Sequence, residues 1–172
     1  GYVKCFYGIH RLFTQLRLPN ALKPAIGAAL TGLLALIAYY TLRATSGDEA
    51  ATDSLSVLSF GYGFLQKIIN PGDAQLLMPV LLVVGLGKIL TTSLTIGSGG
   101  SGGVFGPSMV IGGSLGTVVG MLFTSTGLVN DNEVVIFTLL GMASFFAAAA
   151  NAPVSTLIMV SELTASYVLL LP

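Results

Sequence analysis

The chain has no tryptophan, one cysteine, one histidine and few charges: seven basic and seven acidic residues among 172, or 8%. Each shortage excludes something. Soluble domains carry about 25% charged residues, so a soluble fold of this length would lack the charge to cover its surface. A net charge of zero and the lack of any basic run argue against a nucleic-acid partner. Cys5 has no second cysteine for an internal disulfide, and no spacing of cysteine and histidine suits a metal. His10, beside Arg11, reads as a solvated loop histidine rather than a ligand.

What remains is apolar. Hydrophobic residues make up 53% of the chain and the mean hydropathy is +0.89. Such a composition predicts an all-α, polytopic membrane protein, placed in a plasma or inner membrane. Since the chain opens on Gly1 and stops at Pro172 after a run of leucines, it is expected to be a piece of a longer polypeptide.

Residues 1–23 carry Lys4, Arg11, Arg17 and Lys23 and no acid, which places the loop around Arg11–Lys23 on the cytoplasmic side by the positive-inside tendency. Tyr2–Phe13 reads as the end of a helix. Pro24–Leu42 lies between Lys23 and Arg43 without a charge; at about 1.5 Å per residue it can cross a core of roughly 30 Å. Its Gly27, Ala28, Ala29, Gly32 and Ala35 invite close approach by a neighbouring helix. Asp48, Glu49 and Asp53 follow in a loop expected on the opposite side. Ser56–Ile69 is too short to span and predicts an interfacial or re-entrant helix, closed by a turn at Asn70-Pro71-Gly72-Asp73. Ala74–Thr95 is the next helix, with Lys88 deep in it. Pro107–Thr124 carries a packing stripe of Gly112, Gly113, Gly116 and Gly120. Asp131, Asn132 and Glu133 mark a polar loop before a helix at Val134–Ala150. Asn151-Ala152-Pro153 breaks that helix, and Val154–Thr164 is a short last one. No internal repeat is seen. Broken, half-length helices typify transport proteins with a site at mid-membrane depth.

One interruption stands out. Gly97-Ser98-Gly99-Gly100-Ser101-Gly102-Gly103 lies inside a charge-free run from Ile89 to Asn130. In hydrocarbon an unpaired backbone N–H or C=O is costly, so irregular backbone persists only where it is buried in protein or lines a cavity. The helix restarting after the break presents free N–H groups that carry partial positive charge, a setting for an anion. Proline suits a first turn because its missing N–H would be unpaired there anyway, so Pro107 is taken as the helix start. The donors left facing the break are those of Val104, Phe105 and Gly106. A phosphate loop is a weak reading because no Gly-Lys-Ser/Thr ends the run and no soluble β-α unit surrounds it; an engineered flexible linker is opposed by the apolar helices on both flanks. Lys88 and Glu162 are charges inside otherwise apolar helices, and two readings stand beside each other. Intramembrane charges are functional candidates; a snorkelling lysine and a helix-end glutamate are the plainer alternative. Spacing does not support a direct pair between them.

These residues resemble the CLC family of chloride channels and proton-coupled chloride transporters. Gly103-Val104-Phe105-Gly106-Pro107 fits that family's GxFxP anion-site signature. Lys88-Ile89-Leu90-Thr91-Thr92 looks like the helix leading into it, and Ala152-Pro153-Val154-Ser155 through Val160-Ser161-Glu162-Leu163-Thr164 like the family's short late helix. The resemblance covers most of the chain in the right order. It implies part of an inverted-repeat CLC-type fold, with residues 1–172 forming the C-terminal half of a transmembrane pore domain. It also implies a homodimer in a lipid bilayer, each subunit with its own pore completed by the remaining half of the same domain. The loops of serine and gating-glutamate type, and the helix bearing a pore tyrosine, have no counterpart here; Tyr167 lies before that last position and is not given its role.

The resulting expectation is transport of chloride or a similar small anion, as a channel or an H+/Cl− antiporter. Gly103, Val104, Phe105, Gly106 and Pro107 form the anion site: Val104 and Phe105 supply backbone donors, Gly103 and Gly106 permit the chain path. No catalytic residue, metal, cofactor or nucleic acid is expected. A broken-helix secondary transporter for another solute and a non-transporting membrane scaffold remain the alternatives.

Overall fold

The computed structural model describes residues 1–17, 19–70, 78–130 and 133–163, and these form helices and connecting turns. In chain order the helices are α1 (Tyr2–Gln15), α2 (Leu22–Ser46), α3 (Asp48–Ser54), α4 (Tyr62–Ile69), α5 (Met78–Gly97), α6 (Phe105–Ser125), α7 (Val134–Ala150) and α8 (Pro153–Leu163), with a 3-10 turn at Leu55–Val57. No strand occurs among the described residues. Helices α2, α5 and α6 are each long and apolar enough to cross a membrane.

The helix ends follow from local chemistry. Gly47, at φ 94°, separates α2 from α3. Asp48 and Glu49 then stand in the first turn of α3, where negative charge complements the helix dipole. Asn151 takes a left-handed conformation (φ 54°) to end α7, and Pro153 opens α8, where a missing N–H costs nothing. The expected turn beginning at Asn70 runs into residues 71–73, and the expected polar loop includes residues 131–132; both lie outside the described residues, as do Thr164 and Tyr167.

Helix α6 is the centre. It packs on α5 on one side and α7 on the other, while α1 and α2 lean on α5. The glycine stripe does what its spacing predicts. A methyl group on Gly116 would strike the carbonyl of Phe137, and one on Gly120 would come within 3.1 Å of Phe137 Cβ, so both let α7 approach backbone to backbone. Gly113 faces the junction of α4 and α7, at Leu65 and Met142. Buried threonines, Thr117 and Thr138, join hydroxyls across the same seam at 2.7 Å. On α2 only part of the small-residue set is used. Gly27, Thr31 and Ala35 are buried against neighbours, whereas Ala28 and Ala29 are exposed.

The segment expected at Ser56–Ile69 as too short to span consists of two short elements. It is a 3-10 turn followed by the two-turn helix α4, whose Phe64, Leu65 and Ile68 are buried with Leu81, Val84, Met109 and Val110 in the main apolar cluster. The apolar face of this short helix is thus driven into the core, while Gln66 and Lys67 on its other face are exposed. Gly61, in the left-handed region at φ 78°, makes the corner that lets α4 start there.

Candidate functional site

The glycine break resolves into three parts. Its first residues end α5 in a Schellman motif: Gly99 N–H donates to Ile96 O at 3.0 Å and Gly100 N–H to Thr95 O at 3.0 Å. Gly99 supplies the left-handed residue, with φ 93°. Ser101–Gly103 then runs without regular structure. Val104 occupies the position before α6, and Ser108 N–H makes the first bond back to Val104 O, at 3.0 Å.

Two expectations are corrected by this geometry. The helix begins at Phe105, so Pro107 is its third residue and not its start. Proline is tolerated there because the N–H it lacks still belongs to the unpaired first turn. The chain path does not depend on Gly103 or Gly106 either. Neither has positive φ, and a methyl on Gly103 would meet nothing within 4 Å. The conformational demand falls on Gly99 instead.

The N-terminus of α6 is uncapped. Most helices place Ser, Thr, Asp or Asn at this position to accept a hydrogen bond from the first turn. Val104 cannot, and no side-chain cap is present. The N–H groups of Val104, Phe105 and Gly106 donate to no acceptor among the described residues. Phe105 is half-buried and rests edge-on against Phe146, with ring centroids 5.0 Å apart; Gly106 and Pro107 are buried. Val104 and Gly103 are exposed.

Beside this terminus lies a cavity of about 290 Å3. Its wall includes Ser101, Gly102 and Gly103 from the break, Pro107 from α6, Thr91, Thr92 and Thr95 from α5, Thr31 from α2, and the 57–60 turn. Apolar surface makes up most of the wall, the threonine hydroxyls and glycine backbone the rest, and no carboxylate is among the lining residues. Val104 and Phe105 stand at its margin and do not line it.

Lys88 also lines this cavity, and it is not a snorkelling residue. Only 3% of it is exposed. Its Nζ donates to Ser56 O at 3.1 Å, to Val57 O at 3.0 Å and to Ser59 O. Thr91 Oγ1 donates to the same Val57 O at 3.2 Å. Glu162 is exposed on α8 and forms no ion pair with Lys88; the ion pairs of the described residues join Arg43 to Asp48 and Lys67 to Asp53. The structure thus shows no pair between these two charges, for which their spacing had given no support.

Sequence reasoning missed three contributors. His10 is no loop residue: it lies in α1, with Nδ1 3.2 Å from Gly97 O at the end of α5. Phe60 and Tyr62 stack with centroids 6.2 Å apart and stand next to Gly106. The GYG corner around Gly61 was the available signal for the aromatic pair. No group of acidic, histidine or cysteine side chains suited to a metal occurs among the described residues.

Described residues that are all helix and turn, with three membrane-length helices, one of them restarting uncapped beside a cavity, are the architecture of an integral membrane protein built with broken helices. The family described as voltage gated chloride channel matches residues 1–172, and the chain belongs to it. Its curated relatives include proteins named H(+)/Cl(-) exchange transporter ClcA. That of Vibrio campbellii is 32% identical over 150 residues, covering 85% of this chain and 28% of the relative. That of Yersinia pestis bv. Antiqua is 30% identical over 151 residues, covering 86% and 27%. The Vibrio parahaemolyticus protein is 31% identical over 150 residues, covering 85% and 28%. The chain thus spans little more than a quarter of the length of these relatives.

Proposed function

We propose that this chain forms part of a pathway for chloride or a similar small anion, and that the anion is held by the backbone N–H groups of Val104 and Phe105, with Gly106 adjoining. The observation that carries this reading is the uncapped start of α6: three free donors at the positive end of a membrane-length helix, in a chain of this family. Backbone donors give partial charge without a full countercharge. Binding of that kind is weak enough to release, which conduction requires. Gly103 and Pro107 flank the site and keep it free of competing side chains.

Residues 1–172 are read as the C-terminal half of the pore domain, with the rest of the anion's surroundings supplied by the remaining half, in a homodimer within the bilayer. No reaction is catalysed, and no cofactor or metal takes part. The names of the relatives make coupled H+/Cl− exchange a specific possibility to measure beside channel activity.

The test is crystallography of the full-length protein with bromide, together with flux from liposomes. Anomalous density within hydrogen-bond reach of the Val104 and Phe105 N–H groups is expected. Bromide found only elsewhere overturns the assignment. Proton movement accompanying chloride efflux distinguishes exchanger from channel.

A further inference from the structure

We infer that Lys88 is a positioning residue of the α6 site, acting through the 56–60 turn that it ties in place, and that it is not a ligand of the anion. The inference rests on the reading of that site given above.

An ammonium group has three N–H donors and no acceptor. In Lys88 all three find backbone carbonyls, those of Ser56, Val57 and Ser59. None is left for a ligand, although the residue lines the cavity. These carbonyls belong to the 3-10 turn Leu55–Val57 and the residues after it, where helical carbonyls run out of partners. A cation at such an end satisfies them and complements their negative partial charge. Because the lysine is 3% exposed, the bonds form out of water, where leaving those carbonyls unpaired is costly.

The turn so held has a definite destination. Gly61 N–H donates to Ser59 Oγ at 3.1 Å, and the left-handed Gly61 sends the chain into α4. On one side of this corner Phe60 projects to the start of α6. A methyl group on Gly106 would lie 3.5 Å from Phe60 Cδ1, an atom on the ring's edge, and 3.7 Å from the Tyr62 hydroxyl. The edge of an aromatic ring carries positive potential and is compatible with an anion nearby. Lys88 is thereby linked to the donors of Val104–Gly106 through a short, fully named chain: ammonium, carbonyls 56–59, Phe60, Gly106. Phe60 is 67% exposed among these residues, so its place is set by the turn and not by core packing.

Two measurements on the full-length protein test this. The first is amide hydrogen exchange, which needs no anion. Lys88→Met is expected to raise exchange across 55–62 by about tenfold or more while leaving α7 unchanged. Unaltered exchange in 55–62 overturns the inference. The second is a double-mutant cycle on bromide affinity with Lys88→Met and Phe60→Ala. Each single change is expected to weaken binding several-fold, and the pair no more than the worse single, because both act through one turn. Additive losses overturn the inference, since they would mean that Lys88 reaches the anion by its charge. Should Lys88→Met not fold, Phe60→Ala alone decides: wild-type bromide affinity in that variant removes the link. Should the wild-type protein bind no halide, the anion site itself fails, and the exchange measurement still decides whether Lys88 holds the turn.

Discussion

Gly112 of α6 and Gly141 of α7 meet backbone to backbone, each so close that a methyl group on one would strike the carbonyl oxygen of the other. The contact lies at the middle of the most extensive helix pair in the fold, and Gly116 extends it. Association of helices in a bilayer gains little from the hydrophobic effect and depends on such close fits. The α6 start is therefore held in place from behind, by α7.

Gly112→Ala is expected to lower stability by about 1–3 kcal/mol, because backbone, not a flexible side-chain end, blocks the added carbon. Gly32→Ala is the control. Nothing lies within 4 Å of its added methyl, and removing a helix-interior glycine gains about 0.5–1 kcal/mol. Thermal unfolding of the detergent-solubilised full-length protein compares the two. Equal midpoints would show that the α6–α7 seam relaxes more easily than its geometry implies.

Much of this was legible in the sequence. The break at Gly97–Gly103 announces itself because small residues interrupt apolar ones, and the stripe Gly112, Gly116, Gly120 has helical spacing. Less visible was which glycine bears the strain: five glycines in seven residues look alike, and only the fold shows that Gly99 takes the left-handed position. The helix start was displaced for a related reason, since proline fits any of the first-turn positions and marks the turn, not its first residue. Lys88 could not be read at all. Its partners are backbone carbonyls 29–32 residues upstream, and a carbonyl leaves no trace in residue identity. The same holds for His10 and the carbonyl of Gly97.

Gly99→Ala is accordingly expected to cost about 1–2 kcal/mol, the penalty of a Cβ in the left-handed region, and to fray the end of α5. Gly103→Ala, in open space and without positive φ, should be neutral in stability. Hydrogen exchange at residues 94–100 gives the readout. The opposite ranking would place the conformational constraint at Gly103 after all.

Thr117 and Thr138 share three contacts but only two hydroxyl hydrogens. Thr117 bonds to Gly113 O at 2.8 Å, Thr138 to Val134 O at 3.1 Å, and the two hydroxyls lie 2.7 Å apart. One hydrogen serves the pair while the other stays within its own helix. Thr117→Val should cost about 0.6 kcal/mol, the average for hydrogen bonds between membrane helices. The double valine variant should cost less than the sum, because the second substitution removes a hydroxyl whose partner across the seam is already gone. Strict additivity in a thermal-unfolding cycle would mean that the two hydroxyls do not bond to each other.

The anion site makes the most direct demand on the backbone. If the donors are N–H groups, the side chain of Val104 matters little, and Val104→Ile should keep chloride affinity within about twofold, a difference well under 1 kcal/mol. Gly106 is different. Added carbon there first meets Phe60 Cδ1 at 3.5 Å and Tyr62 Oη at 3.7 Å, which is ordinary contact, so Gly106→Ala fits. Gly106→Val adds two more methyl groups beyond that distance and restricts the first turn of α6. Overpacking costs about 1–3 kcal/mol, and 1.4 kcal/mol corresponds to about tenfold in affinity. Isothermal titration of chloride into the three full-length variants should therefore rank Val104→Ile and Gly106→Ala near the wild type and Gly106→Val about tenfold or more below it. A loss confined to Val104→Ile would transfer recognition from the backbone to the Val104 side chain, and the uncapped start of α6 would lose its part in binding.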